Sequence, residues 1–223
     1  HRQNRGFPLL SKCFAMSRMR TKICGITRPE DGQEAARLGV DAIGLVFYPP
    51  SPRHVSLDQA RAIVAALPPF VTVVALFVDP SVAEVEAVLH AVPVDVLQFH
   101  GEESPDFCRQ FARPYLKAVR VRPSLDLLQY AAHYAGARGL LADAFVPGMA
   151  GGTGATFDWS LLPPNLPLPL ILSGGLDPSN IAAAVAAVRP AAVDISSGVE
   201  SAKGIKDPAL MAAFIGAVQH VSV

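Results

Sequence analysis

The sequence predicts an α/β protein, a single (β/α)8 or TIM barrel, and three observations carry that expectation. Apolar runs recur at intervals of about 20–30 residues. Most read as nearly continuous apolar stretches, as parallel strands buried on both faces do. Amphipathic stretches with sharp start signals lie between them. Eight such runs and seven helical stretches in 223 residues fit a closed barrel near the small end of its size range. The rival, an open doubly wound sheet, advertises itself with G-x-G-x-x-G after its first strand, and that motif is absent here.

Taken in order, the first strand is expected over 21–24, ending on Cys24 before the break at Gly25. Thr27 and Glu30 have capping-box spacing with Pro29 in the first turn, which predicts a helix over 30–38. The second unit pairs a strand over 42–47 with a helix over 57–67, opened by Ser56 and Gln59. The third pairs 72–77 with 80–91, opened by Asp79-Pro80. The fourth pairs 94–99 with 105–111, opened by Ser104-Pro105. The fifth pairs 116–119 with 125–134. The sixth strand, 139–142, leads into an irregular glycine- and proline-rich connection over 145–167, with a short helical turn near Asp158-Trp159-Ser160. A long loop of this kind in a compact domain is usually functional. The seventh pairs 168–172 with 178–188 behind Asp177-Pro178. The eighth pairs 192–195 with 208–218 behind Asp207-Pro208.

Residues 1–18 are basic, lack acidic residues and show no periodicity. They read as a non-native or disordered leader, with Met16 or Met19 as the native first residue, ahead of a catalytic barrel domain over 19–223. Hydrophobic residues make up 51% and charged residues 17%, ample for a closed core. A formal net charge of +0 argues against a broad nucleic-acid or membrane-surface footprint. No apolar run approaches the roughly 20 residues that span a bilayer. Three cysteines without C-x-x-C suggest a reducing, cytoplasmic compartment. A monomer is the default expectation, and a homodimer stays open.

In this fold the active site lies at the C-terminal ends of the strands. Those ends carry Cys24, Ser51-Pro52-Arg53-His54, Asp79, Gln98-Phe99-His100-Gly101, Arg120, Asp143, Ser173-Gly174-Gly175 and Ser196-Ser197-Gly198. The last two turns suit a phosphate, because glycines let backbone N–H groups approach an anion and serines add hydroxyl donors. They follow strands seven and eight, where barrel enzymes often hold substrate phosphate. Lys22 shares a face with Cys24, and an ammonium nearby favours thiolate; it can equally neutralise an inward carboxylate such as Asp194. A carboxyl at Asp143 is partly desolvated, which favours the protonated form a general acid needs; it reads equally well as a structural aspartate bonded to loop N–H groups. Arg53 can grip a carboxylate with its fork. His100 can orient a substrate or hold a loop. Asp79 reads as a helix cap and Cys108 as core packing. No His/Cys/Asp cluster has metal-ligand spacing.

K-I-C-G-I-T at 22–27, D-A-I-G-L-V-F at 41–47, S-P-R at 51–53 and V-L-Q-F-H-G at 96–101 occur in that order. L-L-A-D-A at 140–144, G-G-T-G at 151–154, S-G-G-L at 173–176 and D-I-S-S-G-V-E at 194–200 follow. From residue 20 to about 220 the chain resembles the phosphoribosylanthranilate isomerase family of tryptophan biosynthesis. The resemblance implies an Amadori rearrangement of a phosphorylated aminoaldose. It implies Asp143 as general acid for ring opening, Cys24 as general base at C2′, Arg53 on the anthranilate carboxylate, and Gln98 and His100 as substrate-orienting groups. Phosphate would sit on Gly174, Gly175, Ser197 and Gly198, and the 151–154 loop would cover the site. The iminium nitrogen is the electron sink, so neither metal nor organic cofactor is expected. Two other readings stand beside it: a Schiff-base lyase or synthase using Lys117, and a phosphate-binding barrel without chemistry. The related isomerase of histidine biosynthesis uses two aspartates, and Cys24 argues against it.

Overall fold

The computed structural model describes residues 18–144 and 156–220. Eight parallel strands close into a barrel, each paired with the next and the eighth with the first. They are β1 (Arg20–Cys24), β2 (Ala42–Val46), β3 (Thr72–Phe77), β4 (Val96–Phe99), β5 (Tyr115–Val121), β6 (Gly139–Ala144), β7 (Leu170–Leu172) and β8 (Ala192–Ile195). The helices are α1 (Pro29–Arg37), α2 (Leu57–Ala65), α3 (Val82–Ala91), α4 (Pro105–Arg109), α5 (Leu127–His133), α6 (Ile181–Val188) and α7 (Pro208–Gln219). A 3-10 turn at Trp159–Leu161 stands between β6 and β7, where the helical turn was expected. None of the described helices is long and apolar enough to cross a membrane.

Strand alternation decides what this barrel can do. One face of each strand packs outward: Ile23, Ile43, Leu45, Val73, Ala75, Leu97, Phe99, Val193 and Ile195 join the shell beneath the helices. The alternate positions Cys24, Val46, Leu76, Gln98 and Asp194 line the pocket at the mouth. On the outer face Phe47, Phe77 and Phe99 stack along β2 to β4, with centroids 5.6 and 6.3 Å apart. Phe107, Phe111 and Tyr115 extend the cluster from Phe99. Such ring pairs add about 0.5–1.5 kcal/mol each beyond the area they bury.

Three expected helix starts are corrected. Thr27 does not cap α1: its hydroxyl donates to the Gly204 carbonyl at 2.5 Å, and Arg28 holds the N-cap position without a side-chain capping bond, its guanidinium donating to Asp31 instead. Asp79 caps no helix. Its φ of +46° turns the chain, its carboxylate accepts from the Glu102 N–H, and Ser81 with Glu84 forms the capping box instead. Asp177 accepts from the N–H groups of Ser179 and Asn180, as a cap does, but the α-helix proper begins at Ile181. Ser56 with Gln59, Ser104 and Asp207 cap as expected.

Lys117 is the larger correction. It falls on the outward face of β5, fully buried, and its ammonium bonds Glu103 at 2.9 Å and the carbonyls of Phe99 and Gly101. The Tyr134 ring lies 5.4 Å beneath it. Glu103 also accepts from the N–H groups of Asp79 and Gly101. This pair pins the loop after β4 to β5 and is walled off from the pocket, so the Schiff-base reading loses its lysine.

An antiparallel hairpin went unforeseen: β9 (Glu200–Ala202) and β10 (Ile205–Lys206) stand between β8 and α7. Of the expected leader, residues 1–17 lie outside the described residues; Arg18 pairs with Asp41 at 2.6 Å.

Candidate active site

Seven of the eight strands, all but β5, contribute a side chain or the turn that follows to one pocket. It is lined by Cys24 from β1, Val46 and Leu76 from β2 and β3, Gln98 from β4 with His100 just past its end, Asp143 from β6, and Asp194 from β8. Tyr48, Ser51, Arg53, Val78, Ser173 and Ser196 complete it from the loops. The predicted Cys24, Arg53, Gln98, His100 and Asp143 are therefore brought together, although they span 120 residues of chain.

Cys24 forms the floor, 6% exposed, against Val46 and Leu76. Gly44 makes its position possible: a Cβ there would lie 2.6 Å from the sulfur. Below it, Lys22 and Asp194 form a buried pair at 2.9 Å. The thiol's pKa is raised above its ordinary value, first because burial disfavours the thiolate and further because of the Asp194 charge; Lys22 opposes both. Lys22 itself is held above its usual value: burial lowers it, but Asp194 and the Cys24 sulfur outweigh that. Lys22 thus neutralises the inward carboxylate Asp194, and its pull on the thiol opposes the rise in pKa without reversing it. Cys108, fully buried on the inner side of α4, has its thiol pushed up to about 12 by burial.

Asp143 is 4% exposed and held from two sides. Its Oδ1 accepts from the Ala144 N–H at 2.9 Å, and its Oδ2 lies 3.1 Å from His100 Nε2. Gln98 Nε2 lies 3.1 Å from His100 Nδ1, while Gln98 Oε1 has no partner among the described residues. Turning the amide exchanges a donor for an acceptor at Nδ1, so Gln98 can serve either imidazole tautomer. Gly174, at φ +84°, lets the seventh loop lie against this carboxyl: a Cβ there would come 2.6 Å from the Ala144 nitrogen.

Arg53 is 8% exposed and engaged. Its Nε and Nη2 donate to Glu200 Oε1 and Oε2 at 2.7 and 2.8 Å. The hydrogen bond it donates to Glu200 is the first reason its guanidinium is held above its usual pKa. Lys206 donates to the same Glu200 at 2.8 Å and to the Ser196 carbonyl at 3.0 Å. Ser196 in turn donates to the Cys24 carbonyl at 3.0 Å.

The expected phosphate residues lie at the neighbouring rim. Gly174 and Gly175 both have positive φ, and Ser197–Val199 is a 3-10 turn. The two loops touch, since a Cβ on Gly198 would collide with the Leu176 carbonyl. Ser173 and Ser196, the residues before each turn, carry that rim into the pocket. Arg120 lines a separate cavity that shares only His100 with this one. The 151–154 loop lies outside the described residues. Among the described residues, no group of His, Cys, Asp and Glu is placed to hold a metal ion.

Sequence reasoning missed the apolar wall of Val46, Tyr48, Leu76 and Val78, and it missed Glu200 and Lys206. The wall's signal was available in strand alternation through Cys24's neighbours. Glu200 ends D-I-S-S-G-V-E, and nothing local in that motif marks it as the partner of Arg53.

A family model described as N-(5'phosphoribosyl)anthranilate (PRA) isomerase matches residues 21–217. The chain is 57% identical over 207 residues to N-(5'-phosphoribosyl)anthranilate isomerase of Pseudomonas fluorescens (strain SBW25), covering 93% of this chain and 99% of that protein. Among solved structures it resembles phosphoribosyl anthranilate isomerase from Thermotoga maritima, at 40% identity and a TM-score of 0.83 over 90% of this chain and 98% of that one. It also resembles a phosphoribosyl anthranilate isomerase in complex with reduced 1-(o-carboxyphenylamino)-1-deoxyribulose 5-phosphate, at 39% identity, a TM-score of 0.78 and the same coverage.

Proposed function

The chain belongs to the N-(5'-phosphoribosyl)anthranilate isomerase family, and from that premise we propose how its residues divide the work. The reaction is the conversion of N-(5'-phosphoribosyl)anthranilate to 1-(2-carboxyphenylamino)-1-deoxyribulose 5-phosphate in tryptophan biosynthesis. What supports the assignment of roles is one observation: a thiol from β1 and a carboxyl from β6 face a common pocket whose rim carries both an arginine fork and two glycine-serine turns.

Phosphate rests on the backbone N–H groups of the loops at Gly174, Gly175, Ser197 and Gly198. The aromatic ring lies along Val46, Tyr48, Leu76 and Val78, with its carboxylate on Arg53. Asp143 protonates the ribose ring oxygen as the C1′–O bond breaks, and the nitrogen lone pair forms the iminium. The competent form has Gln98 Oε1 accepting from His100 Nδ1–H, His100 Nε2 accepting from Asp143, and the proton on the carboxyl. Cys24 thiolate then removes the C2′ proton, and the C–H electron pair flows to the iminium nitrogen. The enolamine loses its C2′ hydroxyl proton and gains one at C1′, which gives the ketone without net proton change. A reagent thiol suits the reducing cytoplasm.

The test is direct. Adding the protein to N-(5'-phosphoribosyl)anthranilate extinguishes the substrate's anthranilate-type fluorescence with no added cofactor. Persistent fluorescence alongside calorimetric binding of the reduced product analogue marks a binding protein instead.

The raised thiol pKa sets a second expectation. Only thiolate is alkylated, and a group held above its ordinary value is mostly protonated at pH 7. Inactivation by iodoacetamide therefore accelerates about tenfold per pH unit and is still rising at pH 9. The reduced product analogue protects. A plateau below pH 8 shows that Lys22 dominates over burial.

A further inference from the structure

We propose that the β9–β10 hairpin is a brace for the carboxylate end of the substrate, with Glu200 and Lys206 as positioning residues for Arg53. The inference rests on the reading that Arg53 takes the anthranilate carboxylate. A guanidinium has two forks, and Glu200 fills one of them, the Nε–Nη2 edge. The Nη1 protons and the second Nη2 proton remain on the other edge. Arg53 and Tyr48, on the apolar wall, line the same pocket.

Charge makes the brace incomplete without an anion. Arg53, Lys206 and Glu200 have side chains 9%, 0% and 5% exposed, so two basic groups share one carboxylate with little water, and burial holds the Lys206 ammonium below its usual pKa against the pull of Glu200. A buried charge without a partner is costly. A substrate carboxylate on the free fork balances the cluster.

The brace also joins both ends of the substrate. Lys206 fixes Glu200 and, through the Ser196 carbonyl, the turn that opens the Ser197-Gly198 phosphate loop. Ser196 reaches on to the Cys24 carbonyl. One buried ammonium thus sets the distance between carboxylate fork and phosphate turn, and holds both against the strand that carries the thiol.

Two ligands separate this from a merely structural ion pair: the reduced product analogue, and the same molecule lacking the carboxyl, each titrated calorimetrically. Wild-type protein binds the carboxylated one more tightly. In Glu200→Gln that preference shrinks by roughly 10- to 100-fold, the worth of a charge-assisted hydrogen bond, while Kd for the carboxyl-free ligand moves less than about twofold. Glu200→Asp keeps the charge on a shorter arm and shrinks the preference partway. Equal weakening for both ligands, or a preference that is unchanged or larger in Glu200→Gln, where the bare charge of Arg53 and Lys206 would draw the carboxylate without any positioning, overturns the brace. Arg53→Met is the reference: an intact preference there overturns the carboxylate role of Arg53 itself, whereas a lost preference there beside an intact one in Glu200→Gln overturns the brace alone.

Discussion

Cys24→Ala lowers kcat roughly a thousandfold or more, while Kd for the reduced product analogue moves less than about threefold. The size of the loss follows from the position of the sulfur. No other ionisable group on the pocket floor is free to act as a base toward C2′. Asp194 is paired with Lys22 beneath it, and Asp143 is held by His100 and the Ala144 N–H. Binding survives because, in the proposed division of roles, the two glycine turns and Arg53 grip phosphate and carboxylate at the rim. Cys24→Ser is the sharper variant. It keeps the shape against Gly44 and Leu76, but a hydroxyl is a far poorer base than a thiol under the same burial, so its loss matches that of alanine. Fluorescence turnover and calorimetry measure both quantities, and an alanine variant within tenfold of wild-type turnover removes Cys24 from the chemistry.

How far the sequence reveals this depends on whether a signal is local. Cys24, Gln98, His100 and Asp143 are legible because each ends an apolar run, and barrel topology brings run ends to one mouth. Cap positions are half legible: Ser56 with Gln59 works within four residues, but the start of α3 is decided by a left-handed turn at Asp79 that Glu102 and Glu103 hold from another loop. Lys117 is misread because a charged residue in a strand suggests the pocket, whereas its partner Glu103 lies on a neighbouring loop of the outer layer. The Arg53–Glu200 pair joins residues 147 apart, and no periodicity or spacing encodes such a contact.

Asp143→Asn is expected to lower kcat by about 10²- to 10⁴-fold, the usual worth of a positioned acid, again with little change in analogue binding. Asparagine keeps the shape, and its oxygen still accepts from the Ala144 N–H. What it lacks is a proton to give: its amide can bond His100 Nε2 but cannot protonate a ring oxygen. Both variants are slow, so rate alone does not tell the acid from the base. Substrate deuterated at C2′ does. Without Cys24 the ring still opens and proton removal limits turnover, so Cys24→Ala shows a full isotope effect. Without the Asp143 acid, ring opening limits and the C2′ bond is intact at that point, so the isotope effect vanishes in Asp143→Asn. The double variant is about as slow as the slower single one, because residues acting in sequence on one substrate are not additive. An isotope effect retained in Asp143→Asn and lost in Cys24→Ala reverses the two roles: the carboxyl on β6 then works at the carbon and the thiol on β1 at the ring oxygen.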